Sequence, residues 1–131
     1  MSAEAQAAAH AARGIVTVRG ADVAGTPAYE GLTRRVLAHD ETLMLVEHTM
    51  EAGSVFPRHQ HPHNQLAYLV EGHVRVFCAG TTFDARAGDS FVLRGGIDHE
   101  VHALERSVAL DVFTPRREDY LPAPPADGPR A

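Results

Sequence analysis

A chain of 131 residues, 44% hydrophobic and 22% charged, with a net charge of −5 and 12 Lys plus Arg, is long enough for one domain whose core needs no disulfide or metal staple. The acidic balance and the lack of any basic run exclude the electrostatic footprint of a nucleic-acid binder. The single cysteine, Cys78, excludes an intrachain disulfide and suits a reducing compartment.

The chain opens on MSAEAQAAAHAAR (residues 1–13), rich in alanine but carrying Glu4, Gln6, His10 and Arg13. It has neither the basic start nor the continuous apolar stretch of a signal peptide. Nowhere does an apolar run reach the length of a membrane span. The expectation is a flexible Ala-rich tail, at most a frayed helix with no amphipathic face, on a cytoplasmic protein. One domain then spans 14–121. Within it, short β-like segments alternate with turn signals: LTRRVLA (32–38), LMLVEHTM (43–50), QLAYLVEG (65–72), HVRVFCAG (73–80), TTFDA (81–85), DSFVLR (89–94), DHEVHAL (98–104) and RSVALDVF (106–113). Cys78 reads as a small buried hydrophobe. No core segment sustains a 3.6-residue period, and even spacing with Gly turns predicts an all-β sandwich or barrel. The closing PAPPADGPRA (122–131) is proline-rich and is expected to be disordered.

HQHPHNQ (59–65) is the densest chemical signal. Residues two apart on a strand point to one face, so His59, His61, His63 and Gln65 share a face, with Pro62 bending or edging the strand. Imidazole nitrogens at that spacing converge on a divalent transition metal, and an amide oxygen completes the shell. The alternative is a solvated, histidine-rich loop. Histidines packed beside QLAYLV without a metal, however, lose hydration with nothing in return. A third histidine from a distant strand is needed, with His99 the candidate and His102 the weaker choice. His10, His39, His48 and His73 read as ordinary surface or turn residues.

The stretch Gly53-x5-His59-x-His61-x3-Gln65-x6-Gly72 resembles the first motif of the cupin family, with glutamine in place of glutamate. Gly88-x5-Arg94-x-Gly96-x2-His99-x3-Ala103 resembles the second, with Arg94 for proline and Ala103 for asparagine. The resemblance implies a single-domain, all-β double-stranded β-helix, or jelly-roll barrel. It also implies a divalent metal (Zn, Ni, Mn or Fe) held by His59, His61, Gln65 and His99. His63 falls between motif positions and is left as pocket wall and substrate contact. A neutral fourth ligand leaves the ion its full double charge, which favours Lewis-acid work on carbonyl, carboxylate or enolate oxygen over oxygen activation.

In RSVALDVFTPRREDYL (106–121), Val108, Leu110 and Val112 form an apolar stripe, while Ala109, Asp111 and Phe113 share the other face. That second face either lines the barrel cavity, making Asp111 an acid or base, or looks at water; alternation alone leaves the two equal. GLTRRVLAHDETLMLVEHTMEAG, HPHNQLAYLVEG and LDVFTPRREDYL further resemble the small pectin-degradation cupins of the KdgF type, which linearise 4,5-unsaturated monouronates. That resemblance implies Asp111 as acid/base, Arg117 as a catalytic residue binding the substrate's carboxylate or a sugar hydroxyl, and Phe113 as a packing wall against substrate. It implies an isomerase or lyase type of enzyme taking a small-molecule substrate, with no nucleic-acid or membrane partner. Homodimerisation through edge strands is expected. The rivals are a cupin polyketide cyclase, a small-molecule dioxygenase and a non-catalytic sugar- or metal-binding module. Since ligation needs neutral imidazole, activity should fall below the free histidine pKa of about 6.5.

Overall fold

The computed structural model describes residues 2–122. Among them, ten strands carry the fold: β1 (Thr26–Tyr29), β2 (Leu32–His39), β3 (Met44–Met50), β4 (Val55–His59), β5 (Asn64–Glu71), β6 (His73–Cys78), β7 (Thr81–Arg86), β8 (Ser90–Leu93), β9 (His99–Ala103) and β10 (Ser107–Thr114). Six form one sheet in the order β1-β2-β3-β10-β5-β8, and four form the other as β4-β9-β6-β7. Every pairing is antiparallel. This is the jelly-roll barrel that turn spacing and motif resemblance predict.

Period-2 alternation builds the core. In β3 the buried positions are Met44, Val46, His48 and Met50, and in β6 they are Val74, Val76 and Cys78. Leu32, Met50, Phe56, Leu69, Val74, Val76 and Leu93 from both sheets meet in one apolar cluster. Cys78 is a free, buried thiol, as expected.

Two strands, β1 and β4, lie outside the segments that alternation marks. Each carries a proline, Pro27 or Pro57, and each is an edge strand, the one sheet position where a missing N–H is harmless. HQHPHNQ, expected as a single strand, is divided. β4 stops at His59, residues 60–63 are irregular, and β5 begins at Asn64.

Residues 3–11, expected as part of a flexible tail, form a helix, α1 (Ala3–Ala11). Alanine has the highest helix propensity, and Ser2 Oγ accepts the Ala5 N–H at 3.0 Å as an N-cap. No side chain of α1 is buried. Among the described residues no helix is long and apolar enough to cross a membrane. The Pro-rich tail lies outside the described residues from position 123 onward.

Candidate metal centre

Three histidines converge at one end of the barrel. His59 ends β4, and its pairing partner across the sheet is His99 at the start of β9. The irregular segment brings His61 over them. One ring nitrogen from each of His59, His61 and His99 lies within 4.8 Å of the other two. Each Nδ1 faces a main-chain carbonyl: Pro57 at 2.8 Å, His63 at 3.1 Å and Ile97 at 3.0 Å, respectively. A carbonyl only accepts, so His59 and His99 carry their proton on Nδ1 and leave Nε2 as a lone pair. His99 Nε2 is buried with no hydrogen-bond partner. Burial, the leading cause in each case, holds all three imidazoles below the ordinary histidine range, His61 to about 4. Neutral rings with bare, converging nitrogens are what a metal requires.

Gln65 on β5 supplies the fourth group. Its Nε2 donates to Asp111 Oδ1 at 2.9 Å, which fixes the amide orientation and turns Oε1 toward His61 Nε2, 3.1 Å away. A neutral His61 has one ring proton for two acceptor oxygens, the His63 carbonyl and Gln65 Oε1. With that proton on Nδ1, a cation shared by Nε2 and Oε1 would satisfy the second contact. The donor set of three imidazoles and one amide oxygen therefore fits a divalent transition metal.

The irregular segment is held from below. Gly96 N–H donates to the His61 carbonyl at 2.8 Å and Gly95 N–H to Asn64 Oδ1 at 2.9 Å. A Cβ on Gly95 would stand 2.1 Å from the Pro62 carbonyl oxygen. Only glycine permits that approach.

Asp111 points inward. β10 buries Ser107, Ala109, Asp111 and Phe113, while Val108, Leu110 and Val112 are half-exposed. The polar-looking face is thus the interior one, which decides the question that alternation left open. Asp111, 4% exposed, also accepts from His48 Nδ1, 2.8 Å from Oδ2. With His48, His59, Gln65 and His99 it lines an inner cavity of about 40 Å³, room for a few waters.

Outside the cavity lies a groove of about 270 Å³, bordered by Arg34, His59, Gln60, Arg117, Asp119 and Tyr120. Tyr120 lines both spaces. The guanidinium carbons of Arg34 and Arg117 stand 3.6 and 4.2 Å from its ring centroid. Arg117 is 7% exposed; its Nε and one terminal nitrogen donate to both Asp119 oxygens at 3.0 and 2.8 Å, and its other terminal nitrogen is buried without a partner. Phe113 packs edge-on against His61 and Tyr120. Arg116 instead pairs at the rim with Glu118.

Two histidine expectations change. His63 lines neither cavity nor groove: its carbonyl holds His61, and its ring packs against His61 and Phe113, because chain irregularity at 60–63 breaks the two-residue phase. His48 is 4% exposed and belongs to the site, not the surface. Its signal was available, since it is in phase with Met44, Val46 and Met50. His102 pairs with Glu100 and stacks on Phe77, apart from the cluster. Arg34 and Tyr120 carried no spacing signal.

Relatives share this fold. A family model described as a cupin domain matches residues 46–113. The chain is a cupin. Over 94 residues it is 31% identical to the pectin degradation protein KdgF of Dickeya dadantii, covering 70% of this chain and 86% of that one. KdgF from Halomonas sp. superposes with a TM-score of 0.76 at 33% identity, covering 80% and 97% of the two chains. An RmlC-like cupin from Shewanella frigidimarina gives 0.76 at 30% identity, covering 80% and 95%. The chain stands with the small KdgF-like cupins.

Proposed function

We propose that this cupin is a metal-dependent enzyme of pectin or alginate breakdown, opening 4,5-unsaturated monouronates to linear, ketonised products without redox chemistry. The observation that carries the reading is the buried Asp111 carboxylate, joined through Gln65 to the histidine cluster and lining a cavity that shares His59 and Tyr120 with a groove bordered by two guanidinium groups. Likeness to a pectin degradation protein supports a substrate from pectin breakdown. A divalent metal held by His59, His61, Gln65 and His99 would supply Lewis acidity toward substrate oxygen.

The chain's own residues do the rest. The inner cavity is too small for a sugar, so substrate occupies the groove. Arg117 turns its unpartnered N–H to the substrate carboxylate, a charge-assisted bond, and Phe113 walls the site. Asp111, in the cavity that shares His59 and Tyr120 with the groove, takes the proton of the anomeric hydroxyl as the ring C–O bond breaks, leaving an aldehyde and an enolate. It then returns that proton to the enolate carbon, giving a ketone. Protons balance, and no oxidant is consumed.

The groove suits a monosaccharide better than a multi-ring polyketide, which weighs against the cyclase reading. The same reading takes a second copy of the chain as partner and the cytoplasm as location, where Cys78 stays reduced. Purified protein given a 4,5-unsaturated galacturonate should speed the loss of conjugated ultraviolet absorbance, and a chelator should abolish that speed. No acceleration by fully metal-loaded protein would reject the monouronate substrate.

A further inference from the structure

The inner face of four neighbouring strands carries an unbroken polar chain across the barrel wall. Arg34 on β2 pairs directly with His48 on β3. His48 and Asp111 are diagonal neighbours across β3 and β10, where His48 pairs with Ala109 and Val46 with Asp111. Asp111 and Gln65 are diagonal neighbours across β10 and β5, where Gln65 pairs with Phe113 and Ala67 with Asp111. Arg34 Nε–H donates to His48 Nε2 at 3.1 Å, His48 Nδ1 lies 2.8 Å from Asp111 Oδ2, and Gln65 Nε2 donates to Asp111 Oδ1 at 2.9 Å.

Arginine only donates, so His48 Nε2 must be the bare nitrogen and the ring proton must sit on Nδ1. That proton then points at Asp111. Each Asp111 oxygen accordingly receives one donor, which fixes the carboxylate plane and leaves one lone pair per oxygen for chemistry. We propose that His48 is a positioning residue of this site: held by Arg34 in its Nδ1–H tautomer, it aims the Asp111 carboxylate at the reacting proton. The arrangement reverses the serine-protease triad, in which a carboxylate orients an imidazole. Nothing acidic lies within ion-pair reach of Arg34 among the described residues, so its bond to a neutral imidazole is not incidental to a salt bridge. The inference rests on the acid/base role given to Asp111 above.

Two measurements test it. In the ultraviolet assay, His48→Phe keeps the edge contacts with Phe56 and Tyr120 but removes the donor. It should lower kcat about ten- to a hundredfold, as misaimed catalytic groups do, with KM within about twofold and metal content unchanged. His48→Asn places an amide N–H where Nδ1 stands and should recover most of that loss; His48→Gln, whose amide reaches the Nε2 position instead, should not. Normal kcat in His48→Phe alongside an inactive Asp111→Asn overturns the inference and leaves the proposed function standing. An active Asp111→Asn overturns both. Independently of turnover, imidazole nitrogen shifts of the zinc-loaded protein should show His48 protonated at Nδ1. An Nε2–H tautomer overturns the inference whatever the substrate proves to be.

Discussion

Burial is what readies the candidate metal ligands. His59, His61 and His99 are held below their ordinary range mainly by desolvation, His61 to about 4, so they remain neutral well below the free value of about 6.5. The fall in activity expected at that value therefore shifts to lower pH. Stability follows the same linkage. Between the folded and unfolded values the unfolded chain binds more protons, so stability is complete above about pH 6.5 and is lost as pH falls toward the folded values. Asp40, Asp84, Asp98 and Asp119 are held low by their hydrogen bonds, and their contribution disappears only in the carboxylate range near 4. Denaturant midpoints of the metal-free protein should therefore drop between pH 7.5 and 5, and less so in His61→Gln. A flat profile would contradict buried, neutral ligands.

At the scale of elements, the site depends on turns more than on strands. The irregular residues 60–63 take their position from the Arg94–Gly96 turn through the Gly96 N–H bond to the His61 carbonyl, the Gly95 N–H bond to the adjoining Asn64 side chain and the close approach of Gly95 to Pro62. Gly95→Ala forces a methyl group into the Pro62 carbonyl, so the turn must withdraw and His61 with it. Metal titration should show affinity weakened about ten- to a hundredfold, the usual cost of disturbing the support of a ligand, with β-sheet circular dichroism unchanged. Unaltered affinity would mean that His61 is placed by something other than this turn. Motif spacing located both halves of this arrangement in the sequence, because the Gly and His positions are fixed by local chain geometry. It assigned a strand to HQHPHNQ because period 2 was projected through Pro62, which has no N–H to pair.

For the whole molecule, the outer face of the six-stranded sheet is the conspicuous surface. Leu66, Tyr68, Val70 and Val92 are 45–59% exposed. By register they adjoin the apolar stripe of β10, with Val112 beside Leu66, Leu110 beside Tyr68 and Leu66 beside Val92. An apolar patch of this kind marks an interface, and a second copy of the chain can cover it symmetrically. Of the four edge strands, β1 and β4 contain prolines and β8 is only four residues long. A homodimer should therefore form face to face and become monomeric when Val92→Lys and Leu66→Lys are combined, as read by sedimentation. Wild-type protein that sediments as a monomer at high concentration removes the dimer from the reading.

By itself the sequence determined most of the strand segments, the jelly-roll class and the candidate ligand set His59, His61, Gln65 and His99. Alternation, glycine turns and ligand spacing are short-range properties that survive in one dimension. It left the inward face of β10 undecided, since Ala109, Asp111 and Phe113 look no more like a core than Val108, Leu110 and Val112. Only the tertiary structure decided that face, because burial depends on which sheet lies opposite. It also brought Arg34, His48, Asp111 and Tyr120 together from three strands and a terminal turn. Strand register sets that meeting, and no local pattern encodes a partner 63 residues away.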